Sequence, residues 1–406
     1  MQSWSIVHLC TYIGAPASEP SQRQSILERE RERMDVVAAA ATGYGGEEGV
    51  VRFGIIGCAE IARKVSRAIR LAPNAVVVAV GSRTLEKSRR FIADNWLDPA
   101  AVVAYGSYEE VLDDARVDAV YLPLPTSLHV QWAVAAAGKG KHLLLEKPTA
   151  LCASDLDKIL AACDAAGVQF MDSTMWMHHP RTAAMRRLLS DPDRFGQLRS
   201  VHSIFTFAGE PDFLENDIRV KPDLDALGAL GDVGWYCIRS ILWAADYQLP
   251  KTAIALRGHI TNKAGVILSC GSSLVWEDGK VATFHCSFLS HLTMEVSVIG
   301  TRGTLHLSDF VIPFEQNSAS FTFASDAWFT ELVTGWQPLP SKHVVNTDLP
   351  QEARMVVEFS RLVKRIKDHA SKPDKQWPEI TTKTQLVLDA VKASIDKGCE
   401  PVDIAY

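Results

Sequence analysis

The chain lacks any apolar run near the ~18 residues that a membrane-crossing helix requires. Its richest run, AVVVAV at 75–80, has the length of a strand. It has no Cys-x-x-Cys pair, no His-Glu-x-x-His and no histidine at zinc-finger spacing from a cysteine, and His178-His179 has no third ligand at a sensible spacing, so no metal is expected. A long basic block is missing too. With a formal net charge of −6, the sequence carries no electrostatic footprint of a nucleic-acid binder, and neither membrane nor nucleic acid is an expected partner. Small molecules remain as the partner class.

Eight scattered cysteines read as reduced thiols of a cytoplasmic protein, with pairing left open by their even number. The 406 residues, 47% hydrophobic and 22% charged, suit two or three soluble domains. Residues 1–50 show no sustained periodicity, include the charge run ERERER, and read as a flexible extension. No basic residue precedes the apolar WSIVHLCTYIGAPA, and the glutamates argue against a transit peptide. Met34 is a second candidate start.

From Val51 the pattern changes. VRFGIIG reads as a strand ending in glycine, followed by a helix through CAEIARKVSRAIRL that stops before Pro73. AVVVAVGSR, DAVYLPLP and HLLLEKP read as further strands, with helices through TLEKSRRFIADNW, where Thr84 is the expected N-cap, and SLHVQWAVAAAG. Strands alternating with helices predict a doubly wound parallel sheet over 51–172, a Rossmann-type dinucleotide domain. Residues 173–406 predict an α+β domain on a largely antiparallel open sheet, because segments such as VILSCGSSLVWEDGKVATFHCSF alternate around DG and RG turns.

Ligands of such sheets lie at the carboxyl ends of the strands. Gly57 to Ala62, GCAEIA, is a variant of the dinucleotide fingerprint in which Ala59 and Ala62 take glycine positions and Ile61 belongs to the same turn; the alternative is simple strand–helix packing. Ser82, Arg83 and Lys87 follow the second strand, where NAD-preferring folds carry an acid. They would suit the 2′-phosphate of NADP(H), or be a solvated basic helix start, and NAD(H) stays possible. Leu122, Pro123, Thr126 and His129 form a third turn on which a cofactor can rest, with Thr126 or Ser127 as cap of the next helix. In Glu146-Lys147-Pro148, the lysine can exchange a proton with a substrate oxygen, the glutamate can hold a ribose, and the proline stiffens the turn; the bland alternative is a surface ion pair. Asp232 and Tyr236, four apart in GALGDVGWYC, would share one helix face.

Four of these pieces, GIIGCAEIA, PLPTSLH, LLLEKP and GALGDVGWYC, resemble in order and spacing the glucose-fructose oxidoreductase/inositol dehydrogenase family (Gfo/Idh/MocA). CAEIARKVSRAI, PTSLHVQWA and GDVGWYCIR resemble its plant branch, near dimeric dihydrodiol dehydrogenase and D-xylose 1-dehydrogenase. The resemblance implies an NADP-dependent hydride transfer at a CH–OH or C=O carbon of a sugar, polyol or cyclic diol, in a homodimer joined through the second sheet, with the closing helix near TQLVLDAVKASIDKG packed on the first domain. It makes Lys147, Tyr236 and Asp232 catalytic: Tyr236, assisted by Lys147, would take the hydroxyl proton while Asp232 orients the group. It also sets Trp176 near nicotinamide and substrate, and His178 near the substrate. His178 stands where arginine is usual in dihydrodiol dehydrogenase, in a segment one residue shorter before Pro180. A catalytically silent NADP-binding regulator and a cofactor-dependent glycosidase are the rival readings.

Overall fold

Six strands alternate with helices through Asp172, and the inner strands are buried on both faces. The computed structural model describes residues 49–332 and 334–405; the extension expected over 1–50 and the alternative start at Met34 lie outside them, apart from Gly49 and Val50. The first domain runs β1 (Val51–Ile56), α1 (Glu60–Leu71), β2 (Ala75–Gly81), α2 (Leu85–Asp94), β3 (Val103–Tyr105), α3 (Tyr108–Asp113), β4 (Ala119–Leu122), α4 (His129–Gly138), β5 (His142–Leu145), α5 (Ala153–Ala166) and β6 (Phe170–Asp172). Its strands pair in the order β3-β2-β1-β4-β5-β6, every pair parallel. β1 and β4 are therefore neighbours from which the chain departs in opposite directions, and the crevice at their carboxyl ends is the ligand position of a doubly wound sheet.

The period of two explains why these strands look uniformly apolar. Val120 and Leu122 enter the core under α4 and α5, while Ala119 and Tyr121 enter the core on the opposite face. Thr84 caps α2 by accepting from Lys87 N–H at 3.3 Å, as the sequence predicts. α3 is held by a capping box between Ser107 and Glu110.

The second domain runs α6 (Pro180–Leu189), β7 (Leu198–Ala208), α7 (Pro211–Asn216), a π turn (Leu230–Gly234), α8 (Trp235–Ala244), β8 (Thr252–Ala255), β9 (Ile260–Thr261), β10 (Ile267–Val275), β11 (Val281–Ser287), β12 (Leu289–Gly300), β13 (Gly303–Leu307) and β14 (Ser318–Ser325). It continues with β15 (Trp328–Phe329), β16 (Trp336–Gln337), β17 (Ser341–Asn346), α9 (Gln351–His369), α10 (Gln376–Asp396) and β18 (Val402–Asp403). The main sheet has the order β17-β14-β13-β12-β7-β11-β10-β8-β18, with β9 beside β10. Hairpins turn at Asp278-Gly279 and Arg302-Gly303, as expected. One pair, β7 with β11, is parallel, because α8 gives the chain the crossover that parallel neighbours need.

The two closing helices divide their work. Met355, Val356, Phe359 and Val363 of α9 complete the core beneath α1 and β1. In α10, the TQLVLDAVKASIDKG stretch sends Val387, Leu388, Val391 and Ile395 into the second domain's core, while Trp377 joins the first. α10 still ties to the first domain through Thr381, which donates to Asp172 Oδ2 at 2.6 Å, and through Asp389, which accepts from Ala153 N–H at 2.7 Å. Asp172 also pairs with Arg239 of α8 at 2.9 Å, with both side chains fully buried. Burial alone would raise this carboxyl; Arg239, Thr174 and Thr381 outweigh it and hold the group below the usual range.

Candidate active site

β1 ends in Gly57 at φ +113°, where a Cβ would meet Leu124 Cδ2 at 2.8 Å. Only glycine lets the turn after β1 lie this close to the turn after β4. α1 then begins at Glu60 with no side-chain cap from Ala59, so its first amides remain available to an anion, and Ala59 and Ile61 border the cleft. These features fit a dinucleotide's pyrophosphate. Ala62 is fully buried and packs inward. Ser82 is buried at the end of β2 against the half-buried Cys58. Arg83 and Lys87 are exposed on the same side, Arg83 within electrostatic reach of Tyr108 and Lys87 of Cys58.

Beyond this turn opens a cleft of about 550 Å³, bordered by Pro123, Thr126, Glu146, Lys147, Arg219 and Asp232 among others. That volume falls within the range of small-molecule sites. Lys147, only 7% exposed, leaves the carboxyl end of β5 and gives its Nζ to Asp232 Oδ1 in a close ion pair. The same ammonium lies over the Tyr236 ring, 4.9 Å from its centroid. Burial alone would push the Asp232 carboxyl up; Lys147 and Arg219 overcome this and hold it below the usual carboxylate range. Glu146 has no such counterweight of equal strength. Burial raises it, although Tyr121 donates its hydroxyl to Oε1 at 2.6 Å and Lys147 N–H donates to Oε2 at 3.2 Å.

The segment between β7 and the π turn, residues 209–226, closes one side of the cleft and supplies residues that sequence reasoning missed. Arg219 Nε reaches Asp232 Oδ2 at 3.2 Å, and its guanidinium also pairs with Asp217 at 2.9 Å. Asp225 Oδ1 accepts from both the N–H and the hydroxyl of Thr126, each at 2.7 Å. Thr126 therefore anchors this segment instead of capping the next helix. A 3₁₀ turn, Thr126–Leu128, precedes α4, whose N-cap position Leu128 makes no side-chain cap bond.

Five expected positions fall elsewhere. His129 is buried with its two ring nitrogens against the carbonyls of Leu124 and Thr149, at 2.8 and 3.1 Å, so it braces the turns instead of lining the cleft. Leu122 is fully buried in the sheet core, and its carbonyl accepts from Glu146 N–H at 3.3 Å. The 3₁₀ turn Met175–His178 sends Trp176, 3% exposed, into the second core against Trp243 and Phe310. His178 stacks on Trp377 with ring centroids 4.8 Å apart, and burial pushes its imidazole down to about 4. Tyr236 is reached by Lys147 but turns its ring toward Phe205 of β7 and does not border the cleft. The π turn that carries Asp232 replaces the regular helix on which the two residues were expected to share a face.

Comparison with known proteins agrees with this architecture. Residues 51–173 match the model of an oxidoreductase family with an NAD-binding Rossmann fold, and residues 182–306 match the Gfo/Idh/MocA C-terminal domain. The dTDP-3,4-didehydro-2,6-dideoxy-alpha-D-glucose 3-reductase of Streptomyces antibioticus is 32% identical over 65% of this chain and 77% of its own length. D-xylose 1-dehydrogenase (NADP(+)) 2 of Haloferax volcanii is 34% identical over 68% of this chain and 81% of its own. Among solved structures, a mutant of the 3-ketoreductase KijD10 from Actinomadura kijaniata, in complex with TDP-benzene and NADP, superposes with a TM-score of 0.72 at 25% identity, over 85% of this chain and 97% of the other. With a glycine turn at the switch point of its first sheet and a lysine–aspartate pair joining the two domains, the chain belongs to the Gfo/Idh/MocA family of oxidoreductases.

Proposed function

We propose that the chain is an NADP-dependent oxidoreductase acting at a CH–OH or C=O carbon of a sugar, polyol or cyclic diol. One observation carries the reading: a buried lysine ammonium faces the cleft beside the dinucleotide turn, held by a carboxylate that a second cation backs. NADP, when bound, supplies hydride-transfer chemistry. Gly57, Ala59 and Ile61 would hold its pyrophosphate, Ser82, Arg83 and Lys87 its 2′-phosphate, and Glu146 a ribose hydroxyl. Relatives named for NADP support that choice over NAD.

The chain's own residues manage the proton. In reduction, Lys147 Nζ donates to the substrate carbonyl oxygen and passes its proton there; in oxidation, the neutral amine takes the hydroxyl proton. Asp232 holds Nζ at the cleft wall and stabilises its charge, and Arg219 fixes Asp232. The Tyr236 ring supports the ammonium from beneath. We assign the proton to Lys147, where the family resemblance implies Tyr236 assisted by Lys147; the position of the ammonium on the cleft border supports this reading.

A reducing, cytoplasmic setting is supported by the seven free cysteines among the described residues. No helix among those residues is long and apolar enough to cross a membrane. We extend the family resemblance to homodimerisation through the second sheet.

Fluorescence titration with NADPH and NADH, followed by aldoses, polyols and dicarbonyls at the nicotinamide absorbance, tests the reading. Preferential NADPH binding with turnover of a panel member is expected. Absence of binding by either nucleotide would contradict it.

A further inference from the structure

The segment that closes the cleft, residues 209–226, is rich in acid. Glu210, Asp212, Asp217 and Asp225 border the cleft from this side, and Glu60 borders it from the start of α1. Asp225 is held by Thr126, whereas Glu210 and Asp212 stand exposed at the mouth. Among the described residues the cleft border carries two cations, Lys147 and Arg219, and both are engaged: Lys147 with Asp232, and Arg219 with Asp217 and Asp232. Lys221 of the same segment turns its Nζ to the Glu215 carbonyl at 2.7 Å and does not border the cleft.

An apolar surface accompanies the carboxylates. Phe213 of α7 borders the cleft half-buried, edge-on to Phe207 at 5.3 Å between centroids, with Ile218 nearby on the same wall. Carboxylates accept hydroxyl protons in charge-assisted hydrogen bonds, and a ring face matches the C–H face of a sugar. A phosphate on the substrate would instead meet like charge in a partly enclosed space, where repulsion is weakly screened. The anionic cofactor proposed for the same cleft adds charge of the same sign.

We infer that this cleft selects an uncharged polyhydroxy substrate, a free sugar or polyol, and rejects phosphorylated and nucleotide-linked sugars. The inference rests on the oxidoreductase reading for the identity of the cleft as the substrate site. It separates this chain from the relative named for a dTDP-sugar. Arg219, the one guanidinium on the border among the described residues, already pairs with Asp217 and Asp232.

Calorimetric titration tests this with the full chain, first with NADPH alone and then on the NADPH-saturated protein. D-glucose, D-xylose and xylitol are compared with glucose 6-phosphate and dTDP. At least one neutral ligand is expected to bind roughly tenfold or more tightly than either anion. In the Glu210→Gln/Asp212→Asn double variant the gap between neutral and anionic ligands should narrow. Glucose 6-phosphate or dTDP binding as tightly as the best neutral ligand would overturn the inference, as would a lack of binding by every neutral ligand. Loss of NADPH binding in the first titration counts against the oxidoreductase reading, and the sugar titrations, repeated without NADPH, still decide the charge preference.

Discussion

Arg219 holds the Asp232 carboxylate by Oδ2 at 3.2 Å, the oxygen opposite the one that takes the Lys147 ammonium. Asp232 thus has a cation on each side, one from the cleft-closing segment and one from the end of β5. Asp225 ties the same segment to Thr126 at the third turn.

Replacing Arg219 with methionine removes one cation from a buried carboxylate. Turnover should fall roughly ten- to a hundredfold, equivalent to about 1–3 kcal/mol, with NADPH affinity preserved. Steady-state kinetics beside a fluorescence titration checks this; wild-type turnover would show that Asp232 needs no second cation.

Tyr236→Phe keeps the ring under Lys147 and removes the hydroxyl. If the ring is the useful part, the variant retains turnover within about tenfold, while Tyr236→Leu loses the cation–π support of ~0.5–2 kcal/mol and falls further. A phenylalanine variant as inactive as one lacking Lys147 would return the proton step to the tyrosine hydroxyl.

The parallel sheet was legible because strands buried on both faces read as unbroken apolar runs, as in HLLL before Glu146. The lysine was legible for the same reason: an ion pair at the end of such a run needs an explanation. Arg219 and Asp225 were not. They lie in an aperiodic charged segment, and Asp225 meets Thr126 across 99 residues, a pairing that no local pattern carries. Trp176 and His178 were assigned from resemblance alone, and a 3₁₀ turn directs both into packing. The parallel β7–β11 pair escaped notice because DG and RG turns mark hairpins but say nothing about which strand a returning chain joins.

Arg83→Ala should weaken NADPH roughly ten- to a hundredfold, the loss of a charge-assisted bond of about 1.5–3 kcal/mol, and leave NADH unchanged. Equal weakening of both nucleotides would place Arg83 away from the 2′-phosphate.

Acid should destabilise the fold through buried neutral histidines. Burial lowers both His142 and His178 to about 4. Below the unfolded value near 6.5 the unfolded chain takes up protons that the native state excludes, so stability falls as pH drops from about 6.5 to 4, by up to ~1.4 kcal/mol per pH unit for each group. Denaturant melts at pH 7, 6 and 5 should show this slope. His178→Phe, which can keep the stack on Trp377, should flatten it; an unchanged slope would rule His178 out as a source.

Lys147→Met tests the central claim most directly, because the substitution keeps the bulk of the side chain and deletes the proton. NADPH affinity, read by fluorescence, should stay within about threefold of wild type, and turnover of the substrate found in the panel should fall by roughly 10²- to 10⁴-fold, the usual reach of acid–base catalysis. Wild-type turnover in this variant would contradict the account.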